Sequence, residues 1–428
     1  MGKKKVLFLG GGSPGTCEMI QYAKKLGLHT IVTDWFDLSH STAKRMADAH
    51  WDISFMDIDI LEEKCKEEGI EAVIATTSEP ATEVMIELCG RLSLPCFASK
   101  ESFHFEKDKA DFKEICKKNA VPVPETVILE NGYDETRIGS LKFPVVVKAV
   151  DGTAGRGITY CENMEEVKKA YEKARSVSNS PKVIIERKID GMVYTAVYAF
   201  AAGEASLLYL NSEIKSNEKQ PDMSSGGSTV MPYVDEFVRQ VNGNIIHALQ
   251  ECGCWDNVAW VEVIRDKAGK FYVIEMAHRL PGDLTAIEYS KIGRLDLIRW
   301  GVECALGIKH GKKDLPAGLE GQMESFIFYM MVCCKKSGTV KAVLGREELR
   351  SHNVDVLVDI CPGDVLVLDK KTIGNIAFCA DTVFEICGMI ELINAVFKIL
   401  DENDENMINI YLSKKRFMEA EFQTMDII

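Results

Sequence analysis

The segment from Phe143 to Tyr160, FPVVVKAVDGTAGRGITY, constrains this chain more than any other stretch. Pro144 opens an apolar run, Val145-Val146-Val147, whose β-branched side chains suit a buried strand. Lys148 lies inside that strand, where a charge needs a partner. The strand breaks at Asp151-Gly152-Thr153-Ala154-Gly155-Arg156-Gly157 and resumes at Ile158-Thr159-Tyr160. Glycines in such a loop let backbone N–H groups face an anion, and Lys148 and Arg156 add positive charge. Such a loop can hold a polyphosphate. Taken alone, the segment also reads as a Gly-rich hairpin with a snorkelling lysine. No GK[ST] follows and a strand comes next, so this is not a Walker motif.

A chain of 428 residues has room for two to four domains. Apolar content of 46% and charged content of 27% are those of a soluble globular protein. The net charge of −14 argues against general nucleic-acid affinity and leaves room for a local basic groove. The 14 cysteines are scattered without zinc-ligand spacing, and no signal peptide is visible. Reduced thiols in a cytoplasmic protein are expected, with no membrane partner. Met192 to Leu210 is interrupted by Gly203-Glu204 and reads as two strands and a turn.

Val6-Leu7-Phe8-Leu9 is a strand leading into Gly10-Gly11-Gly12-Ser13-Pro14-Gly15 and a helix. A second strand, His29 to Thr33, ends at Asp34. Formally this is G-x-G-x-x-G with an acidic residue further on, so a nicotinamide-dependent oxidoreductase is the main rival reading. Further strands at Val73–Thr77 and Leu94–Cys96, alternating with helices, give a small parallel sheet. Ligands of such sheets sit at the carboxyl ends of strands, which singles out Gly11, Asp34 and Glu79. Asn211 to Val230 is polar and turn-rich. It is expected to be a mobile loop over the site, hinged at Ser224-Ser225-Gly226-Gly227, with Ser225 and Gly226 meeting substrate.

Val258–Arg265 and Lys270–Met276 are two strands joined by Asp266-Lys267-Ala268-Gly269. Folding this hairpin sets Glu262 opposite Glu275 on one face. Facing carboxylates repel, and burial without partners would cost more. A divalent cation such as Mg²⁺ resolves both problems.

In this order, the glycine loop with Lys148, the acid pair and Glu275-Met276-Ala277-His278-Arg279-Leu280-Pro281-Gly282-Asp283 resemble the ATP-grasp superfamily. Its amino-acid ligases and carbamoyl-phosphate-synthase-like single-module members are the nearest in pattern. The resemblance implies an α/β chain in four parts. These are a Rossmann-like domain (1–97), an ATP-grasp N-terminal lobe (98–190), a C-terminal lobe with the metal site (191–310) and a C-terminal α/β region (311–428). It implies ATP and Mg²⁺ as cofactors, with Mn²⁺ as a substitute. ATP would be held by Lys109 of the Asp-Lys helix start, by Lys148, and by Gly152, Thr153, Gly155 and Gly157. The backbone of Glu186, Arg187, Lys188 and Ile189 would form the adenine hinge. Glu262 and Glu275 would hold metal. Lys148, Arg156 and Arg279 would be catalytic, and Gly11, Glu79, Ser225, Gly226, Arg279 and Gly282 would face substrate. Two positions depart from the family pattern. Ala277 stands where many members have a metal-binding asparagine, and Val193 where many have a ribose-binding glutamate. The role of His278 is open.

The activity implied is that of an ADP-forming carboxylate–amine ligase working through an acyl phosphate on an amino acid or similar small acid. Small-molecule acid and amine partners follow, without nucleic acid, and the resemblance admits a homodimer. A purine-pathway carboxylase or transformylase and a non-catalytic ATP-binding module stand as alternatives. The chain lacks a biotinyl Met-Lys-Met segment, which argues against carrier-dependent biotin carboxylation.

Overall fold

Four short strands near the N-terminus pair in parallel: β1 (Lys5–Leu9), β2 (His29–Thr33), β3 (Ala49–Trp51) and β4 (Ile70–Ile74). Their order is β3-β2-β1-β4. The computed structural model describes residues 3–152, 157–217, 220–318, 320–368, 372–410 and 412–422. Val6 and Phe8 of β1 pack with Met19 and Ile20 of the helix Thr16–Lys25, whereas Leu7 and Leu9 pack with Leu61 and Val84 on the other face. A strand covered on both faces reads as an unbroken apolar run, which is the pattern of Val6–Leu9. The strand expected at Leu94–Cys96 does not form. Ser93 turns left-handed (φ 55°) and the Leu94 N–H closes the preceding helix on the Cys89 carbonyl.

A second sheet, β5 (Thr126–Leu129), β6 (Val145–Ala149), β7 (Thr159–Cys161) and β8 (Val183–Arg187), is antiparallel in the order β5-β8-β6-β7. The helix Met164–Ser176 buries Val167, Ala170 and Ala174 against Val145, Val147 and Ile185. The third sheet has nine strands. Its order runs β13 (Phe271–Ala277), β12 (Asn257–Asp266), β9 (Gly191–Ala201), β10 (Glu204–Asn217), β11 (Gln220–Ser228) and β14 (Phe326–Cys334), then Gly374–Ala380 and Asp355–Leu357. Ile408–Ile410 pairs with β14 as the ninth strand. Strand β9 alternates between two cores. Val197, Ala199 and Ala201 share a core with the helices Thr285–Ile292 and Leu297–Ala305, and Tyr194, Ala196, Tyr198 and Phe200 share one with Phe112 and Ile245.

The polar segment Asn211–Val230, expected as a mobile loop, lies largely within β10 and β11, which pair with each other and bond β11 onward to β14. Its small polar residues serve packing. The Ser225 hydroxyl donates to the Ile214 carbonyl at 2.8 Å, and Gly226 sits opposite Met330. A Cβ on Gly227 would fall 1.9 Å from the Ser212 carbonyl oxygen. A long helix near the C-terminus is capped by Thr382. It spans Val383–Val396, and Lys398–Asp401 returns as a strand. Among the described residues no helix is long and apolar enough to cross a membrane, and all 14 cysteines are free thiols.

If Ser224–Gly227 is sheet and not hinge, Gly227→Ala must push strands apart. It should cost about 2–4 kcal/mol of unfolding free energy in urea titrations, against about 0.5 kcal/mol or less for an exposed loop.

Candidate active site

Asp108 caps the helix Lys109–Lys118 by accepting the N–H groups of Ala110 and Asp111. This makes Lys109 the first helical residue and sets Lys113 one turn along the same face. Lys109 Nζ lies 3.2 Å from Glu275 Oε2 and donates to the Gly152 carbonyl at 2.9 Å, tying the start of the glycine loop to β13. Glu275 stands opposite Glu262 in the β12–β13 register. Burial alone would raise the Glu275 carboxyl, but Lys109 and Lys148 overcome it and hold the group below its ordinary value. Lys109 is affected in the opposite sense. Burial lowers its pKa, and Glu275, with Glu79 and Glu262 adding, raises it above the usual lysine value.

Lys148, on β6, is almost wholly buried and pairs with Glu186 Oε1 on β8 at 2.5 Å. This is the partner its strand position demands. The other carboxylate oxygen of Glu186 lies 2.9 Å from Lys113 Nζ. Burial would raise the Glu186 carboxyl, but Lys113 and Lys148 together hold it down at about 2. The expected adenine hinge is accordingly tighter than the sequence implied. The backbone of Glu186 lies within the sheet between β5 and β6, and the N–H groups of Arg187 and Lys188 donate to the Glu125 and Pro144 carbonyls. Those two N–H groups are committed, so a base edge would have to meet other atoms of Glu186–Ile189.

Arg279 follows β13. Its Nε donates to Glu106 Oε1 at 2.8 Å, a terminal nitrogen donates to the Thr77 carbonyl at 2.9 Å, and the guanidinium lies over Trp260. Glu106 belongs to the helix Lys100–Lys107, where Ser102, Phe103 and Glu106 share the buried face. Its second oxygen accepts the His278 N–H. Glu79 opens the helix Glu79–Leu92, and burial followed by the Glu106 charge raises its carboxyl, with Arg279 and Lys109 opposing. His278 is a structural anchor. One ring nitrogen meets the Asp256 carbonyl at 2.8 Å and the other the Ser102 hydroxyl at 3.1 Å.

One charged cluster therefore gathers Lys109, Lys148, Gly152, Glu79, Glu262, Glu275 and Arg279. Gly157 follows the glycine loop in a left-handed conformation (φ 80°), and Thr153, Gly155 and Arg156 lie outside the described residues. Gly282 is exposed in the turn beyond Arg279. Ser225 and Gly226 are built into the nine-stranded sheet, so the reason for placing them on a substrate-facing lid is gone. Gly11 is engaged with its own turn. Its N–H donates to Asp34 Oδ2 at 2.6 Å, and Asp34 Oδ1 accepts from Phe36. The acid that a nicotinamide ribose would need is thereby committed. Two buried charges beside these residues, Glu106 and Lys113, were not expected from the sequence. The signal for Lys113 was its i,i+4 spacing from Lys109, and for Glu106 its place beside Phe103 on an apolar helix face. His104, Asp108 and Asp111 also cluster at metal-ligand distances, but Lys182 already bonds both acids at 2.8 Å.

Residues 108–313 match the family described as carbamoyl-phosphate synthase L chain, ATP binding domain. This segment is an ATP-binding domain of the ATP-grasp superfamily. The 2-oxoglutarate carboxylase small subunit of Hydrogenobacter thermophilus is 24% identical over 331 residues, which are 73% of this chain and 69% of that protein. The biotin carboxylase domain of the 2-oxoglutarate carboxylase from the same organism, solved with MgADP, ADP and bicarbonate, superposes with a TM-score of 0.78. It covers 99% of both chains at 17% identity. An L-amino acid ligase from Bacillus licheniformis gives 0.75, covering 94% of this chain and 99% of that one at 18% identity. The mitochondrial propionyl-CoA carboxylase alpha chain of Mus musculus is 23% identical over 70% of this chain, which spans only 44% of that protein. The mixed α/β fold is common to these structures.

Burial holds His278 near 4, below its ordinary 6.5. The folded value is the lower one, so the contribution of the neutral ring is complete above about pH 6.5 and is lost as pH falls toward 4. Between pH 7.5 and 5 this residue should account for about 2 kcal/mol of lost stability. His278→Gln should flatten that part of the pH dependence in denaturant titrations.

Proposed function

We propose that the chain is an ATP-dependent, ADP-forming ligase that activates a small carboxylate as an acyl phosphate and passes it to an amine. The observation that carries this reading is the convergence of Lys109, Lys148 and Arg279 on the opposed carboxylates Glu262 and Glu275. Hard carboxylate oxygens held in register suit Mg²⁺, and the residues present fit a magnesium nucleotide. When bound, it supplies the phosphoryl group that makes a carboxylate electrophilic. Lys109 and Lys148 would offset phosphate charge from largely buried positions. Gly152, tethered to Lys109 through its carbonyl, would bring the glycine loop to the phosphates. Glu262 and Glu275 would supply metal ligands. Arg279, fixed in orientation by Glu106 and Thr77, would grip the activated carboxylate. No side-chain nucleophile is required.

An amino acid is the favoured carboxylate, supported by the likeness in fold to an L-amino acid ligase. The sequence relation to a carboxylase small subunit favours a second reading, with bicarbonate as the carboxylate. The missing Met-Lys-Met segment does not oppose this, because it bears on a carrier and not on the active site that would load one. A nicotinamide oxidoreductase is disfavoured by the commitment of Asp34.

The test is ADP and phosphate release from MgATP with amino acids singly and in pairs, and with bicarbonate plus amine acceptors. Lys148→Ala should reduce turnover by about 100-fold or more while the unfolding free energy stays within about 2 kcal/mol of wild type. Glu275→Gln should raise the Mg²⁺ concentration required, and Ala277→Asn should lower it. Full activity in Lys148→Ala, or a Mg²⁺ dependence that neither carboxylate-region change moves, would sink the proposal. ATP binding without turnover across the whole panel would leave a nucleotide-binding module in its place.

A further inference from the structure

Lys113 has no assigned part in the chemistry, yet its side chain is only 1% exposed and the Glu186 side chain only 5%. A third buried charge beside a satisfied Lys148–Glu186 pair is expensive unless it does something. Lys113 Nζ meets Glu186 at 2.9 Å without the alignment of a hydrogen bond, so its influence is chiefly one of charge. Burial, reinforced by the Lys148 charge, lowers the Lys113 ammonium, and Glu186 opposes that. The three residues sit on different elements: the helix Lys109–Lys118, β6 and β8. With Lys148 and Glu186 alone the set would be neutral, and Lys148 would be spent on its neighbour. With a charged Lys113 the set carries one positive charge. Of the two lysines it is Lys148 that acts on Glu275, at the place proposed for nucleotide phosphates.

We propose that Lys113 is a positioning residue for nucleotide binding: it shares Glu186 with Lys148, so that Lys148 is held in place while its charge stays available to the phosphate groups. This rests on the ATP reading above. No bond is made or broken at Lys113. Its effect is to prevent a neutral Lys148–Glu186 pair from forming at the expense of the ligand.

The experiment is calorimetric binding of ADP with Mg²⁺, and of adenosine, to the full chain. Lys113→Met keeps length and removes charge. It should weaken ADP by about tenfold, which is 1.4 kcal/mol, and leave adenosine within about twofold, because only the phosphates need the charge. In the double variant Lys113→Met with Glu186→Gln, the carboxylate that captures Lys148 is gone, and ADP affinity should return to within about threefold of wild type. A purely structural role would weaken both ligands together and would not be rescued by the second change, and that result overturns the inference. So does a Lys113→Met chain that binds ADP like wild type. If Lys113→Met does not fold, Lys113→Arg must bind ADP within about threefold of wild type and Lys113→Gln must not, and equal binding by the two overturns it. A wild-type chain that binds adenosine and ADP equally, or binds neither, overturns the ATP reading and this inference with it.

Discussion

The rest of the charged cluster depends on the confrontation of Glu262 and Glu275 across one hairpin. Two like charges on paired strands sit about 5 Å apart, and at an effective dielectric near 20 their repulsion is roughly 3 kcal/mol. The fold keeps that pair because the surrounding cations answer it. Lys109 meets Glu275 directly, and Lys148 and Arg279 lower the same carboxyl through space. The cations come from three places: a helix start, the strand β6 and the turn after β13. No local sequence preference could assemble them, so the sheets must be packed before the charges can balance.

Two of these cations are in turn held by a carboxylate that lies behind them. Glu106 orients Arg279 and also accepts the His278 N–H, while Glu186 orients Lys148. A flexible lysine or arginine loses rotamer freedom when it is fixed, at a cost of about 2 kcal/mol for the side chain. Paying that cost during folding leaves less to be lost when a ligand arrives, which is the sense in which a site is preorganised. The same logic explains why His278 is neutral and buried. It makes contacts on both ring nitrogens and so fixes the backbone from which Arg279 projects.

The parts of this arrangement that were legible in the sequence are those whose local pattern conflicts with a bland reading. Lys148 inside a valine strand and Glu275 in an apolar strand opposite Glu262 each announce a charge that needs a partner. Lys113 and Glu106 were not legible because FHFEKDKADFKEICKK is rich in charge throughout, and a helical stretch of that kind ordinarily faces water. Only the packing of two consecutive helices against β13 buries Glu106 from the first and Lys109 and Lys113 from the second. The segment Asn211–Val230 failed in the opposite direction. Its serines and glycines look like a loop, but next to β14 they are what allows backbone to approach backbone. Polarity along a chain reports solvent only where side chains are large enough to reach it. In a crowded sheet a serine hydroxyl can bond the neighbouring carbonyl, as Ser225 does with Ile214.

The same distinction separates the two glycine-rich turns of this chain. At Gly10–Gly15 the Asp34 carboxylate accepts the Gly11 N–H, and a Cβ on Gly11 would come within 2.3 Å of Ser41 Oγ. That turn has closed on its own protein, and its glycines are explained by the approach of the segment that follows β2. At Gly152 the constraint is of another kind. The carbonyl is drawn to Lys109, so the peptide is tethered beside the charged cluster. A turn whose polar groups are satisfied internally has little to offer an anion, whereas one anchored through its carbonyl beside two lysines lies where phosphate charge would be best balanced. Of two motifs with similar composition, the second is therefore the one on which chemistry can be built.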